Sequence, residues 1–161
     1  MPVRRRFHIP AIILALALLS VSLWRQQRVA DLPSRSARCV RVIDGDTILL
    51  ERGERVRLIG VDTPEIAHPQ GPEEKFGKEA SAFTERLAEG KPVRLEFGRE
   101  REDAYGRTLA YVYLEDGTLL NAELIRQGLG TAYTRYPFRF EEEFIRLEQE
   151  ARQNGRGMWA R

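Results

Sequence analysis

Cysteine is almost missing from this chain: Cys39 is the only one in 161 residues, so no intrachain disulfide can brace it. A single thiol is compatible with oxidising export without supporting it, and a buried, inert thiol at the start of a strand is the expected role. No cluster of His and Cys occurs, which removes the usual signature of zinc or copper. Internal repeats are absent too. A broad excess of positive charge is also lacking. The formal charge is +2, but five basic residues (Arg4, Arg5, Arg6, Arg25, Arg28) precede Asp31, where no acid stands. Setting those five aside leaves 21 basic against 24 acidic residues, a net of −3. Net charge therefore does not argue for a polyanion partner, and any such site has to be local. What is present, 42% apolar and 31% charged residues, suffices for one small domain with a real core plus extras.

A long apolar run is likewise only half there. Behind the leading arginines, residues 11–24 (AIILALALLSVSLW) carry no charge, the layout of a secretory leader. A full span wants about 20 apolar residues. Counting from Phe7 reaches eighteen, diluted by His8 and Pro10. Ser20 and Ser22 suit a cleavage site, whereas Trp24 before Arg25 suits the interfacial end of an anchor. Residues 1–24 are therefore a signal peptide or a membrane anchor, and either places the rest outside the cytoplasm, tethered to the membrane or secreted. Residues 25–37 are polar, with Pro33 and no apolar period, and read as a linker. The domain is expected over 38–161.

Residues 39–50 are rich in Val and Ile and are interrupted by Asp44-Gly45-Asp46, which predicts a strongly bent strand or two strands with a bulge. Gly53 and the β-rich stretch after it complete a hairpin signature. With Arg52-Gly53 as a two-residue turn, Ile48 lies opposite Arg57 and Asp46 becomes a diagonal neighbour of Arg57, about 7 to 8 Å away. A bulge would slip this register by one residue and turn the arginine to the other face. A Pro/Gly-rich loop follows at 66–72. A helix is predicted over 73–89, from Phe76, Ala80, Phe83 and Leu87 at helical spacing, and Gly90 ends it. Strands are predicted over 92–97 and 109–114, and helices over 119–127 and 141–153. Phe97, Tyr111 and Tyr113 are expected in the core. Five strands with one helix after the third and two at the end is the order of a five-stranded Greek-key barrel of the OB type with three helices, an α+β fold whose barrel binds oligonucleotides on one face.

Asp46, Asp62 and Glu65 are hard oxygen donors, which favours Ca²⁺ or Mg²⁺. Each cluster also has a plain structural reading. Asp44-Gly45-Asp46 makes a turn, Thr63-Pro64-Glu65 makes a helix start, and Tyr105-Gly106-Arg107 makes a hairpin loop with a solvated charge. Taken together they make a phosphodiester site. Attack by water builds charge on phosphorus, and two bidentate arginines, Arg57 and Arg107, match that geometry better than lysines would. A cation neutralises a phosphoryl oxygen and holds a water, and Glu65 is placed to take the water's proton.

These residues resemble the thermonuclease family, typified by staphylococcal nuclease, over about residues 41–159. The resemblance rests on VIDGDT (42–47), RLIGVDTPE (57–65), His68-Pro69, KEASAFT (78–84), YGR followed by LAYVY (105–113) and LIRQGL (124–129). It implies an OB barrel with three helices and Ca²⁺-dependent cleavage of single-stranded DNA and RNA to 3′-phosphates. It implies that Asp46, Asp62 and the backbone carbonyl of Thr63 bind calcium. Glu65 is then the usual candidate base, Arg57 and Arg107 contact the scissile phosphate, and Tyr105 and Tyr133 line the nucleotide pocket. Two departures stand out. The loop after Leu50 is about three residues shorter than in the type enzyme, and Ala104 replaces a lysine beside the terminal phosphate, so a weaker preference for 5′-phosphorylated ends is expected. No obligate protein partner is called for, and a monomer is expected. The competing reading is a catalytically silent OB module, tethered to the membrane, that binds nucleic acid or protein. Such copies are expected to lose the charged trio of Arg57, Glu65 and Arg107, all in place here.

Overall fold

The computed structural model describes residues 34–66, 72, 74–160. The expected leader and most of the expected linker lie outside the described residues. So do His68 and Pro69. Among the described residues no helix is long and apolar enough to cross a membrane.

Among the described residues seven strands and three helices follow one another: β1 (Ser34–Asp44), β2 (Thr47–Leu50), β3 (Arg55–Leu58), β4 (Val61–Asp62), α1 (Gly77–Ala88), β5 (Pro92–Glu102), β6 (Thr108–Tyr113), α2 (Leu120–Arg126), β7 (Thr131–Ala132) and α3 (Glu141–Gln153), then a 3₁₀ turn at Gly157–Trp159. Five strands close a barrel in the order β1-β2-β3-β6-β5, and β4 pairs with β7 in a separate two-stranded sheet. This is the OB-type barrel with three helices read from the sequence. The long first strand serves both sides of the closure. Its first half, from Ser34 to Arg38, pairs with β5, and its second half, from Cys39 to Asp44, pairs with β2. Register shifts at Cys39/Arg41 and Val42/Asp44 bend it between the two, as irregular pairing does at barrel corners. The barrel closes where β3 runs parallel to β6. Asn121, fully buried, reinforces that seam. Its side chain accepts from the Val112 amide at 2.9 Å and donates to the Ile59 carbonyl at 2.9 Å.

Inward positions of every barrel strand fill the core: Val42, Ile48, Leu50, Val56, Leu58, Leu95 and Val112, each at most 5% exposed. The alternation of apolar and polar residues in β3 and the first half of β5 is the period-2 signal of such a wall. Cys39 is buried, as expected. Phe97 and Tyr111 are core residues, and the Tyr111 hydroxyl accepts from the Arg139 amide at 3.0 Å. Tyr113 is only half-buried, with the Arg94 guanidinium 4.2 Å from its ring centre.

Four expectations shift. Strand β1 starts at Ser34, so residues 34–37 belong to the barrel although they read as linker. Their polarity misled because one face is exposed and the other only partly covered, while backbone pairing holds them. The β2–β3 register is Thr47↔Arg57, Ile48↔Val56, Leu49↔Arg55, one residue away from the two-residue-turn register. The reason is a three-residue loop, Glu51-Arg52-Gly53, closed by the Gly53 amide and by the Leu50 amide on the Glu54 carbonyl. Helix α1 starts at Gly77 rather than at 73 because Phe76 sits at φ 75, a left-handed backbone that cannot continue a helix. Strand β5 runs on to Glu102, five residues past its apolar part, because it stays paired to β6 through Glu102↔Thr108.

Candidate phosphodiester site

The site grows from the turn between β1 and β2. Asp44 accepts the Asp46 amide at 3.1 Å, the side-chain turn expected of an Asp before Gly. Helix α1 presses on this turn from outside. Thr84 donates to the Gly45 carbonyl at 2.7 Å, and a Cβ on Gly45 would lie 2.7 Å from Thr63 Oγ1 and 2.8 Å from the Ala80 Cβ. Only glycine fits that approach.

The Asp46 carboxylate is then aimed under β3 and β4. One oxygen accepts from the Thr63 amide at 3.0 Å and the Thr63 hydroxyl at 3.2 Å. The other accepts from Thr47 Oγ1 at 3.1 Å. Arg57 Nη2 lies 3.1 Å from Asp46 Oδ2, and the two side chains are 13% and 8% exposed. Burial pushes the Asp46 carboxyl up to about 6, against the pull of the Arg57 guanidinium.

Arg57 folds over the turn between β3 and β4. Its Nη1 donates to the Leu58 carbonyl at 3.0 Å and the Val61 carbonyl at 2.6 Å, while Nη2 also bonds Asp62 Oδ1 at 2.8 Å. Contact with Asp46 survives the one-residue register change because Asp46 sits in the turn before β2, outside the strict alternation of the strand. The Asp62 carboxylate is 54% exposed. Burial raises its pKa, Arg57 and Arg107 oppose the rise, and Asp46 and Glu74 add to it.

Arg107 comes from the loop between β5 and β6, where Asp103 is the hub. Asp103 accepts the Tyr105 amide at 2.9 Å, the Arg107 amide at 2.9 Å and Arg107 Nε at 2.7 Å. Burial would raise its carboxyl, but these bonds outweigh it and hold Asp103 below the usual carboxylate range. Tyr105 stands 77% exposed, with the Arg107 guanidinium 5.5 Å from its ring centre. Tyr133, also exposed, follows β7. That strand pairs with β4 through Asp62↔Thr131, and the Tyr133 amide donates to the Gly60 carbonyl at 3.0 Å.

Glu65 is exposed, three residues beyond Asp62 in a segment that is neither helix nor strand, so the helix start read at Thr63-Pro64-Glu65 does not occur there. Thr63 spends its side chain on Asp46 instead of on a cap. The Glu65 backbone is tied to Glu74: its amide donates to Glu74 Oε2 at 3.1 Å, and its carbonyl accepts the Glu74 amide at 2.9 Å. A Cβ on Gly77 would lie 2.3 Å from that carbonyl, so α1 also sets where Glu65 stands.

The structure thus joins Asp46, Arg57, Asp62 and Thr63 by direct bonds, sets Arg107 and Tyr105 on the neighbouring loop, and hangs Tyr133 beside β4. Sequence reasoning missed Gly45, Thr84 and Asp103. The spacing of Asp103 two residues before Tyr105 in a Gly-containing turn was a signal for the last. Nothing local marks Thr84, whose partner is 39 residues away.

A hard cation fits the oxygens present. Asp46 and Asp62 both reach one guanidinium nitrogen, so their oxygens are at most about 6 Å apart, and one Arg57 charge faces two carboxylates. Among the described residues no group of three or more His, Cys, Asp or Glu is arranged to hold a metal. A hard cation placed here would need backbone carbonyl, water or substrate oxygens to complete its shell, the habit of Mg²⁺ and Ca²⁺.

Comparison with known proteins agrees with this arrangement. The family model described as staphylococcal nuclease homologue matches residues 55–161. A thermonuclease of Staphylococcus hyicus is 33% identical over 159 residues, covering 92% of this chain and 94% of the relative. A thermonuclease of Staphylococcus intermedius is 43% identical over 136 residues, covering 81% and 80%. The endonuclease YncB of Bacillus subtilis is 37% identical over 127 residues, covering 75% and 60%. With this coverage, and with the barrel and the Asp46–Arg57–Asp62 cluster in place, the chain belongs to the staphylococcal nuclease family.

Proposed function

We propose that this protein is a calcium-dependent nuclease that hydrolyses phosphodiester bonds in single-stranded DNA and RNA outside the cytoplasm, leaving 3′-phosphates. The observation that carries the reading is the meeting of Asp46 and Asp62 on Arg57 Nη2 at 3.1 and 2.8 Å, with Arg107 on the adjoining loop. That is an acidic pair and two guanidiniums on one barrel face, the requirements of a metal-assisted attack on a phosphate anion.

Asp46, Asp62 and the Thr63 carbonyl would hold the calcium ion. When bound, the cation supplies positive charge against a phosphoryl oxygen and acidifies a water. Arg57 and Arg107 bind the scissile phosphate and stabilise the charge that grows on its equatorial oxygens. Glu65 accepts the proton of the attacking water, the new P–O bond forms, and the bond from phosphorus to the 5′ oxygen breaks; that oxygen takes a proton from solvent, leaving a 3′-phosphate and a 5′-hydroxyl. Tyr105 and Tyr133 offer aromatic faces to the flanking bases, a sequence-tolerant contact. The reading includes an N-terminal segment that exports the protein or anchors it in the membrane.

The test is hydrolysis of single-stranded DNA and RNA by the full chain with calcium or with chelator, beside Glu65→Gln. Calcium-dependent cleavage that collapses in the variant is the expected result. Binding without cleavage under every metal tried would make the protein a silent OB module instead.

A further inference from the structure

We infer that Arg55 forms a second phosphate site beside the Arg57–Arg107 face, receiving a phosphate group of the bound strand next to the one that is cleaved; the inference rests on the nuclease reading. In β3, Val56 and Leu58 are buried at 0% and 1% exposure, so Arg55 and Arg57 share the opposite face, about 6 to 7 Å apart along the strand. Strand β3 runs parallel to β6 with Val56↔Thr108 and Arg57↔Leu109. One step back, Arg55 stands beside the loop that carries Tyr105 and Arg107 into β6, and reaches the Tyr105 carbonyl. Three guanidiniums therefore border one patch of the barrel wall.

Their partners differ. Arg57 is neutralised by Asp46 and Asp62, and Arg107 by Asp103. Arg55 is exposed, and among the described residues it forms no ion pair. It donates to the neutral carbonyl of Tyr105 at 3.3 Å. A long, single hydrogen bond to a carbonyl is readily given up for a charge-assisted bond to an anion. A guanidinium here also lies beside Tyr105, so the phosphate it takes is covalently continuous with a base stacked on that ring.

The alternative role for Arg55 is to brace the Tyr105 loop, and salt dependence separates the two. Binding of a short fluorescent oligothymidylate to the full chain is measured in chelator over a range of salt, for the parent, Arg55→Gln and Arg55→Lys. Loss of one single-strand phosphate contact lowers the slope of log affinity against log salt by about 0.7. Arg55→Gln is expected to show that drop and Arg55→Lys to keep the parent slope. A slope unchanged in Arg55→Gln, even with weaker binding, leaves only the brace and overturns the inference, as does failure of the parent to bind. Oligomers with and without a 5′-phosphate distinguish the sources: a change confined to the phosphorylated oligomer assigns a terminal phosphate, a change in both an internal one, and either supports the site. Calcium-dependent hydrolysis by the parent is followed in parallel. Its absence alongside the slope change would sink the nuclease reading and leave the phosphate site standing.

Discussion

Thr63 gives both its amide and its hydroxyl to the same oxygen of Asp46, at 3.0 and 3.2 Å, and so fastens β4 to the turn that opens the site. Thr63→Val keeps the shape and removes only the hydroxyl bond. The expected loss is about 1 kcal/mol, read as a lower melting temperature with the fold intact. An unchanged melting curve would mean that the amide alone holds the carboxylate.

Gly45 leaves no room for a side chain between Thr63 and Ala80. Gly45→Ala is expected to cost about 1–3 kcal/mol as an overpacking change. It should also lower the rate of hydrolysis more than that loss explains, because Asp46 and Thr63 move apart. Kinetics at a temperature where the variant is fully folded give the check.

Arg107→Ala should lower the rate on single-stranded DNA by about 10²- to 10³-fold, the usual effect of losing one preorganised donor. The loop's other anchors, the Tyr105 and position-107 amides on Asp103, remain. Asp103→Asn keeps an acceptor for those amides but loses the ion pair, so its loss is expected to be smaller. A larger loss in Asp103→Asn would reverse the assignment of which residue touches the phosphate.

Burial pushes the Cys39 thiol up to about 11 from an ordinary 9, and a backbone hydrogen bond at Arg41 pulls only partly against it. The folded chain therefore holds this proton more tightly than the unfolded one, so the contribution to stability is full below about pH 9 and is lost as pH rises toward 11. Labelling by a thiol-specific reagent at pH 8 should be slow in the native protein and fast in denaturant, since the thiolate is the reactive form. Equally fast labelling in both would place Cys39 at the surface.

Much of the fold was legible in local pattern. Helix α3 occupies the expected 141–153, and α2 ends within one residue of its expected stop before Gly128. Period-2 alternation marked β3 and the first half of β5, because each has one face against the core. Elements without such an imprint were not legible. Strands β4 and β7 have two residues each, too few to show a period, and residues 34–37 carry no apolar stripe. The site divides the same way. Residue types named the chemistry: paired carboxylates without His or Cys, and two arginines rather than lysines. Position came from elsewhere. The three-residue loop at Glu51-Arg52-Gly53 chose the hairpin register, and a turn outside that register still delivered Asp46 to Arg57.

The sequence by itself determined the longer patterned strands and the helices, and which hard-oxygen and guanidinium groups are available, since these follow from side-chain period and chemistry within a few residues. Only the tertiary structure decided that Thr84 on α1 would clamp Gly45 and that Arg55 would reach the Tyr105 carbonyl. Those contacts join residues 39 and 50 positions apart, and the packing of helix and strands around the barrel, rather than any local preference, brings them together.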